Sequence, residues 1–194
     1  MERRPQRGAA RGRERALSAA TVRAAAPADA AAIAAVYAPH VTDSAASFEA
    51  EPPAAEEVLR RMTAEPRLPW LVAEREGEVV GFAYAAAHRA RAAYRWSVDV
   101  SVYLHDSERR RGTGRALYTR LLPEVRALRY VSVYAGIALP NPGSVGLHES
   151  FGFVPVGVYR NVGWKHGQWR DVGWWQLVPE DPPVEPAEPL AWTP

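Results

Sequence analysis

The stretch 96–104 reads Trp-Ser-Val-Asp-Val-Ser-Val-Tyr-Leu. Its even positions, Trp96, Val98, Val100, Val102 and Leu104, are apolar, while Ser97, Asp99, Ser101 and Tyr103 make up the odd set. A period of two puts these sets on opposite faces of a β-strand. Similar patterning predicts strands at 70–75 and 79–87 around a tight turn at Glu76-Gly77-Glu78. Further strands are expected at 21–25, 131–135, 153–162 and 169–177. Helical spacing begins after Pro27, which suits a first turn, with Ile33, Val36 and Tyr37 as the apolar stripe. Val58, Leu59 and Met62 share one side of a second helix at 54–63. A third starts near Thr113 and buries Leu117, Leu121, Leu122 and Val125, with Pro123 expected to kink or interrupt it. A fourth covers 142–151. About seven strands and four helices, with no long linker or repeat between them, predict an α/β (α+β) domain over 21–178.

The chain has 194 residues, 47% of them hydrophobic, enough for one domain with a substantial core. It contains no Cys, which excludes a disulfide framework, a thiolate metal site and a cysteine nucleophile; no metal is expected. No apolar run approaches the roughly 20 residues that span a bilayer, so no membrane partner is expected. The formal charge is +2, but its distribution matters more. Arginines at 3, 4, 7, 11, 13 and 15 face only Glu2 and Glu14 in the first twenty residues, and Glu180, Asp181, Glu185 and Glu188 make the end acidic. The segment between them lacks the strong basic excess of a nucleic-acid binder. Residues 1–20 are expected to be a disordered basic extension of a cytoplasmic protein rather than a transit peptide. The proline-rich tail, 179–194, is expected to be an extended cap or a frayed end.

After the 96–104 strand comes Arg109-Arg110-Arg111-Gly112-Thr113-Gly114-Arg115, and then a helix. Such a strand–loop–helix junction can hold a diphosphate. Glycines let the backbone approach an anion, several N–H groups converge, and the helix N-terminus adds a favourable dipole. No Gly-Lys-Ser/Thr follows and the glycine spacing is not that of a dinucleotide fold. Taken alone, a solvated basic turn would explain the loop as well.

The loop resembles the Arg/Gln-x-x-Gly-x-Gly/Ala signature of the GNAT acetyltransferase superfamily. More narrowly, the chain is similar to phosphinothricin N-acetyltransferases from about Val22 to Leu177. The resemblance is carried by Pro69-Trp70-Leu71-Val72-Ala73-Glu74, by Gly81 with Ala83-Tyr84-Ala85, by Ala90-Arg91 with Ala93-Tyr94, and by Leu117-Tyr118-Thr119 and Leu139-Pro140-Asn141. Two later segments add to it: Asn141-x-x-Ser144-x-x-x-His148-x-x-x-Gly152-Phe153, and Lys165-His166-Gly167 with Trp169, Asp171-Val172-Gly173 and Trp175-Gln176. The resemblance implies a GNAT-like, mostly antiparallel sheet splayed into a V. Acetyl-CoA would lie in the opening as co-substrate, its pyrophosphate on Arg109–Gly114 and its pantetheine along Val102, Tyr103 and Leu104. It also implies direct attack of a small glutamate-like amino acid on the thioester, and a homodimer.

The resemblance places a Glu where this chain has Asp99, as the base that deprotonates the acceptor amine. Asp is one methylene shorter, about 1.5 Å of reach, which favours relay through a water; a structural Asp bonded to Ser97 or Ser101 is the alternative. His148 stands where the superfamily has a Tyr that protonates the leaving thiolate, and a packing role is its alternative. Asn141 and Ser144 suit a helix start and coenzyme contacts. Arg89, Arg91 and Tyr94 match acceptor-side positions where a cation can meet a phosphinate, sulfoximine or carboxylate. Phe48 matches an acceptor-side aromatic, whereas the neighbouring Ser47 departs from a usual Asn. Other amines (a peptide N-terminus, a polyamine, an aminoglycoside) and a non-catalytic acetyl-CoA-binding protein remain alternative functions.

Overall fold

The computed structural model describes residues 19–179 and 181–194. The basic segment read at 1–20 therefore lies almost wholly outside the described residues. Strands β1 (Thr21–Ala24), β2 (Trp70–Arg75), β3 (Glu78–Ala87), β4 (Ser97–Leu104), β5 (Ser132–Ala138), β6 (Val154–Lys165) and β7 (Gln168–Leu177) form one sheet in the order β1-β2-β3-β4-β5-β7-β6. Four α-helices accompany it: α1 (Ala30–Thr42), α2 (Ala55–Met62), α3 (Thr113–Ala127) and α4 (Pro142–Glu149).

Alternation along the strands divides the core between the two faces. Leu71 and Ala73 of β2, Ala83 and Ala85 of β3, and Val98 and Val100 of β4 pack with Leu117, Leu121 and Val125 of α3. The intervening Trp70, Val72 and Phe82 pack against Ile33, Val36, Tyr37 and Val41 of α1 and Val58 and Met62 of α2. Asp99 shares the odd set of β4 with Tyr103, which joins the α1 cluster, so it lies on the α1 side of the sheet.

All neighbouring strands are antiparallel except β4 and β5. That parallel pair is short: Ser97, Val98 and Asp99 face Ser132, Val133 and Tyr134, and the pairing stops there. On its other side β4 stays paired with β3 as far as Leu104. The sheet therefore opens after Asp99, and among the described residues no strand covers that edge of 100–104. This is the splay expected from the resemblance.

One expectation needs correction: Pro123 does not interrupt its helix. Helix α3 continues through Pro123 as one element. A mid-helix proline costs roughly 3 kcal/mol, and the fully buried Leu117, Tyr118, Leu121 and Val125 on either side of it offset that cost. The C-terminal tail, read as either an extended cap or a frayed end, docks on the domain. Trp192 is 7% exposed within the α3-side core, and its indole Nε1–H donates to Glu124 Oε2 at 2.9 Å. Leu190 N–H bonds to Leu128 O and Trp192 N–H to Arg67 O, both at 3.0 Å.

Candidate active site

An open cleft of about 420 Å³ lies where the sheet parts, within the size range of small-molecule sites. Tyr103 reaches it from β4, Gly136 and Ala138 from β5, and Val172 and Trp174 from β7. Its remaining wall is Tyr37 and the segment 46–49, which includes Phe48. The β6–β7 hairpin holds that segment in place. Lys165 Nζ donates to the Glu49 carbonyl, His166 Nε2 lies 3.1 Å from Ser44 O, and the Phe48 ring covers Gly163 so closely that a Cβ there would overlap it. His166 and Gly167 make the turn, both with positive φ (52° and 70°), a geometry that favours glycine.

Behind Phe48 runs a polar chain. Tyr37 Oη is 2.7 Å from Ser47 Oγ and donates to Glu49 Oε1 at 3.1 Å, and Glu49 accepts from Arg61 at 2.6 and 3.2 Å. The Arg61 guanidinium holds the Glu49 carboxyl below its usual range, and burial pushes the Tyr37 phenol up to about 12. Ser47, the departure from the usual Asn, is buried and acts in this chain as a bridge between Tyr37 and the Glu49 backbone N–H.

The Arg/Gly loop forms at the start of α3. Gly112 is the N-cap with φ +82°, a conformation glycine adopts without strain, and a Cβ at Gly114 would press on Leu147 at 3.3 Å. The first helical bond runs from Ala116 N–H to Gly112 O, so the N–H groups of Thr113, Gly114 and Arg115 have no helical acceptor. The loop is anchored from below by Glu108, only 1% exposed, which takes two hydrogen bonds from Arg75 (3.0 and 2.9 Å) and one from Thr113 Oγ1 (2.5 Å). The Arg75 guanidinium keeps the Glu108 carboxyl below its usual range. The Thr113 hydroxyl is thus committed to the protein. The loop arginines differ: Arg109 pairs with Asp106, Arg111 lies 3.6 Å from Glu108, Arg115 sits over the Phe151 ring, and Arg110 takes a positive φ. Free N–H groups at a helix N-terminus, with guanidinium groups around them, suit a diphosphate. The open edge of Val102, Tyr103 and Leu104 leads to that loop, and His40 Nε2 meets the Leu104 carbonyl at 2.8 Å.

Asn141 caps α4, its Oδ1 accepting from Ser144 N–H at 3.1 Å. One turn later His148 is 3% exposed, and both of its ring nitrogens are engaged. Nδ1–H donates to Ser144 O at 2.8 Å, which leaves Nε2 to accept from the fully buried Tyr118 hydroxyl at 2.9 Å. Burial lowers the imidazole pKa and favours the neutral ring. In this geometry both ring nitrogens of His148, expected from the resemblance to protonate the leaving thiolate, are engaged by Ser144 and Tyr118, and the residue joins α3 to α4.

Asp99 lies at the apex of the splay. Its Oδ1 accepts from His88 Nδ1–H at 2.6 Å, and burial raises the carboxyl pKa against the opposing pull of His88. Neither Ser97 nor Ser101 is its partner. His88, just past the end of β3, was not singled out from the sequence. Its neighbours Arg89, Arg91 and Tyr94 lie in the exposed connection between β3 and β4. Arg89 approaches the Trp174 ring at 5.7 Å, Tyr94 stands edge-on to His88 at 6.0 Å, and the Arg91 side chain makes no hydrogen bond or ion pair among the described residues.

The profile of the acetyltransferase (GNAT) domain matches residues 22–174. The chain belongs to the GNAT acetyltransferases. Within them it is 42% identical to the phosphinothricin N-acetyltransferase of Streptomyces viridochromogenes, over 87% of this chain and 93% of that protein. It is 38% identical to the L-methionine sulfoximine/L-methionine sulfone acetyltransferase of Salmonella typhimurium, over 56% of this chain and 64% of that one. The crystal structure of a GNAT superfamily phosphinothricin acetyltransferase from Sinorhizobium meliloti in complex with AcCoA superposes with a TM-score of 0.82. It is 36% identical, with 88% of this chain and 95% of that chain covered. This GNAT chain is thus an N-acetyltransferase of the phosphinothricin type in sequence and in fold.

Proposed function

We propose that the chain transfers the acetyl group of acetyl-CoA to the α-amine of a small glutamate-like amino acid, phosphinothricin or methionine sulfoximine, in a ternary complex. The observation that carries this reading is the splayed β4–β5 pair, with a free helix N-terminus at one end and a cleft of amino-acid size at the other. The backbone N–H groups of 113–115, with Arg109, Arg110 and Arg111, would hold the pyrophosphate. The uncovered edge of Val102, Tyr103 and Leu104 would hold the pantetheine, and Asn141 and Ser144 flank that path at the start of α4. The acetyl group, supplied as a thioester, needs no covalent enzyme intermediate, which agrees with the lack of Cys. Phe48, Arg89, Arg91 and Tyr94 are assigned to the acceptor, and removal of the ammonium proton to the Asp99 end of the splay. The reaction is placed in the cytoplasm, where acetyl-CoA and free amino acids are both present, and the protein is proposed to act as a homodimer.

Arg91 tests the acceptor assignment. Its guanidinium has no partner to satisfy within the described residues, so it is available to an acidic acceptor. Arg91→Ala should raise the acceptor KM at least tenfold and leave the acetyl-CoA KM within twofold, measured by steady-state thiol release. An unchanged acceptor KM would contradict the assignment.

A further inference from the structure

Asp99 is poorly placed to take a proton by itself. Its carboxylate is half-buried and close to the backbone of β4, and its Oδ1 is already held by His88 at 2.6 Å. The imidazole continues outward from that contact. Because the carboxylate oxygen accepts, Nδ1 carries the hydrogen and Nε2 carries the lone pair. Nε2 has no hydrogen-bond partner among the described residues, so the one free basic atom of the pair is at the far side of the ring. The ring itself is held firmly. It stacks on Tyr134 at 4.3 Å and 19°, and Tyr94 and Trp174 meet it edge-on at 6.0 Å each. Trp174 also lines the cleft, which brings His88 to the acceptor end of the splay.

We propose that His88 Nε2 is the atom that takes the proton from the acceptor ammonium, with Asp99 as the residue that orients the ring and balances its charge. The idea rests on the acetyl-transfer reading and deepens it. One N–H bond of the ammonium breaks and its proton forms the Nε2–H bond of an imidazolium, which later releases it to solvent. The freed amine lone pair forms the C–N bond to the thioester carbonyl. As the C–S bond breaks, a second proton leaves the nitrogen for the departing thiolate, so the products are amide, free thiol and one proton. Asp99 serves this step as a carboxylate partner serves a catalytic imidazole in general: it selects the Nδ1–H tautomer and stabilises the imidazolium. The pair also makes chemical sense of the shorter Asp, since the ring supplies the reach that the missing methylene removes.

The charged and titratable groups facing the ring are few. Asp99 on β4 stabilises the imidazolium, and Arg89 next in the chain opposes it. Tyr94 and Tyr134, whose hydroxyl takes a hydrogen bond from Gln176 at 2.8 Å, are the phenols packed against the ring. The wild type should therefore show an acid limb in kcat/KM that belongs to His88. Asp99→Asn should move that limb to lower pH, because it removes the stabilising anion.

Two measurements decide the matter. Imidazole 15N NMR of the whole protein should show His88 as the Nδ1–H tautomer when neutral, and Asp99→Asn should lower its titration midpoint. An Nε2–H ring, or a midpoint indifferent to Asp99→Asn, would overturn the proposal whatever the acceptor proves to be. Kinetically, His88→Gln should lower kcat by roughly 10²–10⁴-fold and abolish the acid limb, with acetyl-CoA binding unchanged as the check on folding. Retention of kcat within fivefold by His88→Gln, with a larger loss of kcat in Asp99→Asn, would overturn it and return the base to Asp99. Silence of the wild type on both acceptors would count against the acceptor reading, and the NMR result would then still stand on its own.

Discussion

A single left-handed residue shapes the loop assigned to the coenzyme diphosphate. Gly112 has open space where a Cβ would go, so its requirement is conformational and not steric. An L-residue at φ +82° is strained by roughly 1–2 kcal/mol, and relaxation of that strain would turn the free N–H groups of α3 away from one another. Gly112→Ala should therefore raise the acetyl-CoA Kd about five- to tenfold while lowering Tm by only a few degrees, read by titration calorimetry and thermal melts. Affinity equal to wild type would show that the loop does not bind through that backbone shape. Glu108 makes the complementary point: its buried contacts with Arg75 and Thr113 position the loop without offering any group to a ligand.

At the level of elements, much was legible because the patterns were local. The alternation at 96–104 and the run at 70–75 correspond to β4 and β2, and the Gly112–Thr113 junction is where α3 begins. What escaped the sequence depended on long-range packing. Pro123 argues for a break by its own chemistry, and only the buried stripe around it explains why α3 runs on. The tail has no periodicity to read, since Leu190 and Trp192 are isolated apolar residues among prolines, so the sequence left a cap and a frayed end both open, and the Trp192 site beside Glu124 docks it. His88 was missed for a similar reason. Its contact with Asp99 exists because Ala86 pairs with Asp99 across β3 and β4, a register set by the whole connection between them. His148 was noticed, but its tautomer and partners come from the junction of two helices and could not be read from its spacing.

On the scale of the molecule, the β6 flank of the sheet is exposed. Strand β6 is at its edge, and Val154, Val156, Val158 and Val162 are exposed along it, with Trp164 and Trp169 at the hairpin end. A row of this kind is an unusual surface for a monomer and supports the proposed homodimer. Val156→Asp with Val158→Asp should shift the sedimentation mass from that of two chains to that of one; a wild type that already sediments as a single chain would contradict the dimer. The same hairpin leans its Lys165 and His166 tip on the cleft wall, so pairing at β6 would also steady the acceptor side.

The central claim is acetyl transfer to a small acidic amino acid, and it is tested most directly by thiol release from acetyl-CoA by the purified protein with phosphinothricin or methionine sulfoximine. The account predicts release well above the hydrolysis background with at least one of them, and N-acetyl product in equal amount. Protein that binds acetyl-CoA yet releases no thiol with either acceptor would contradict it.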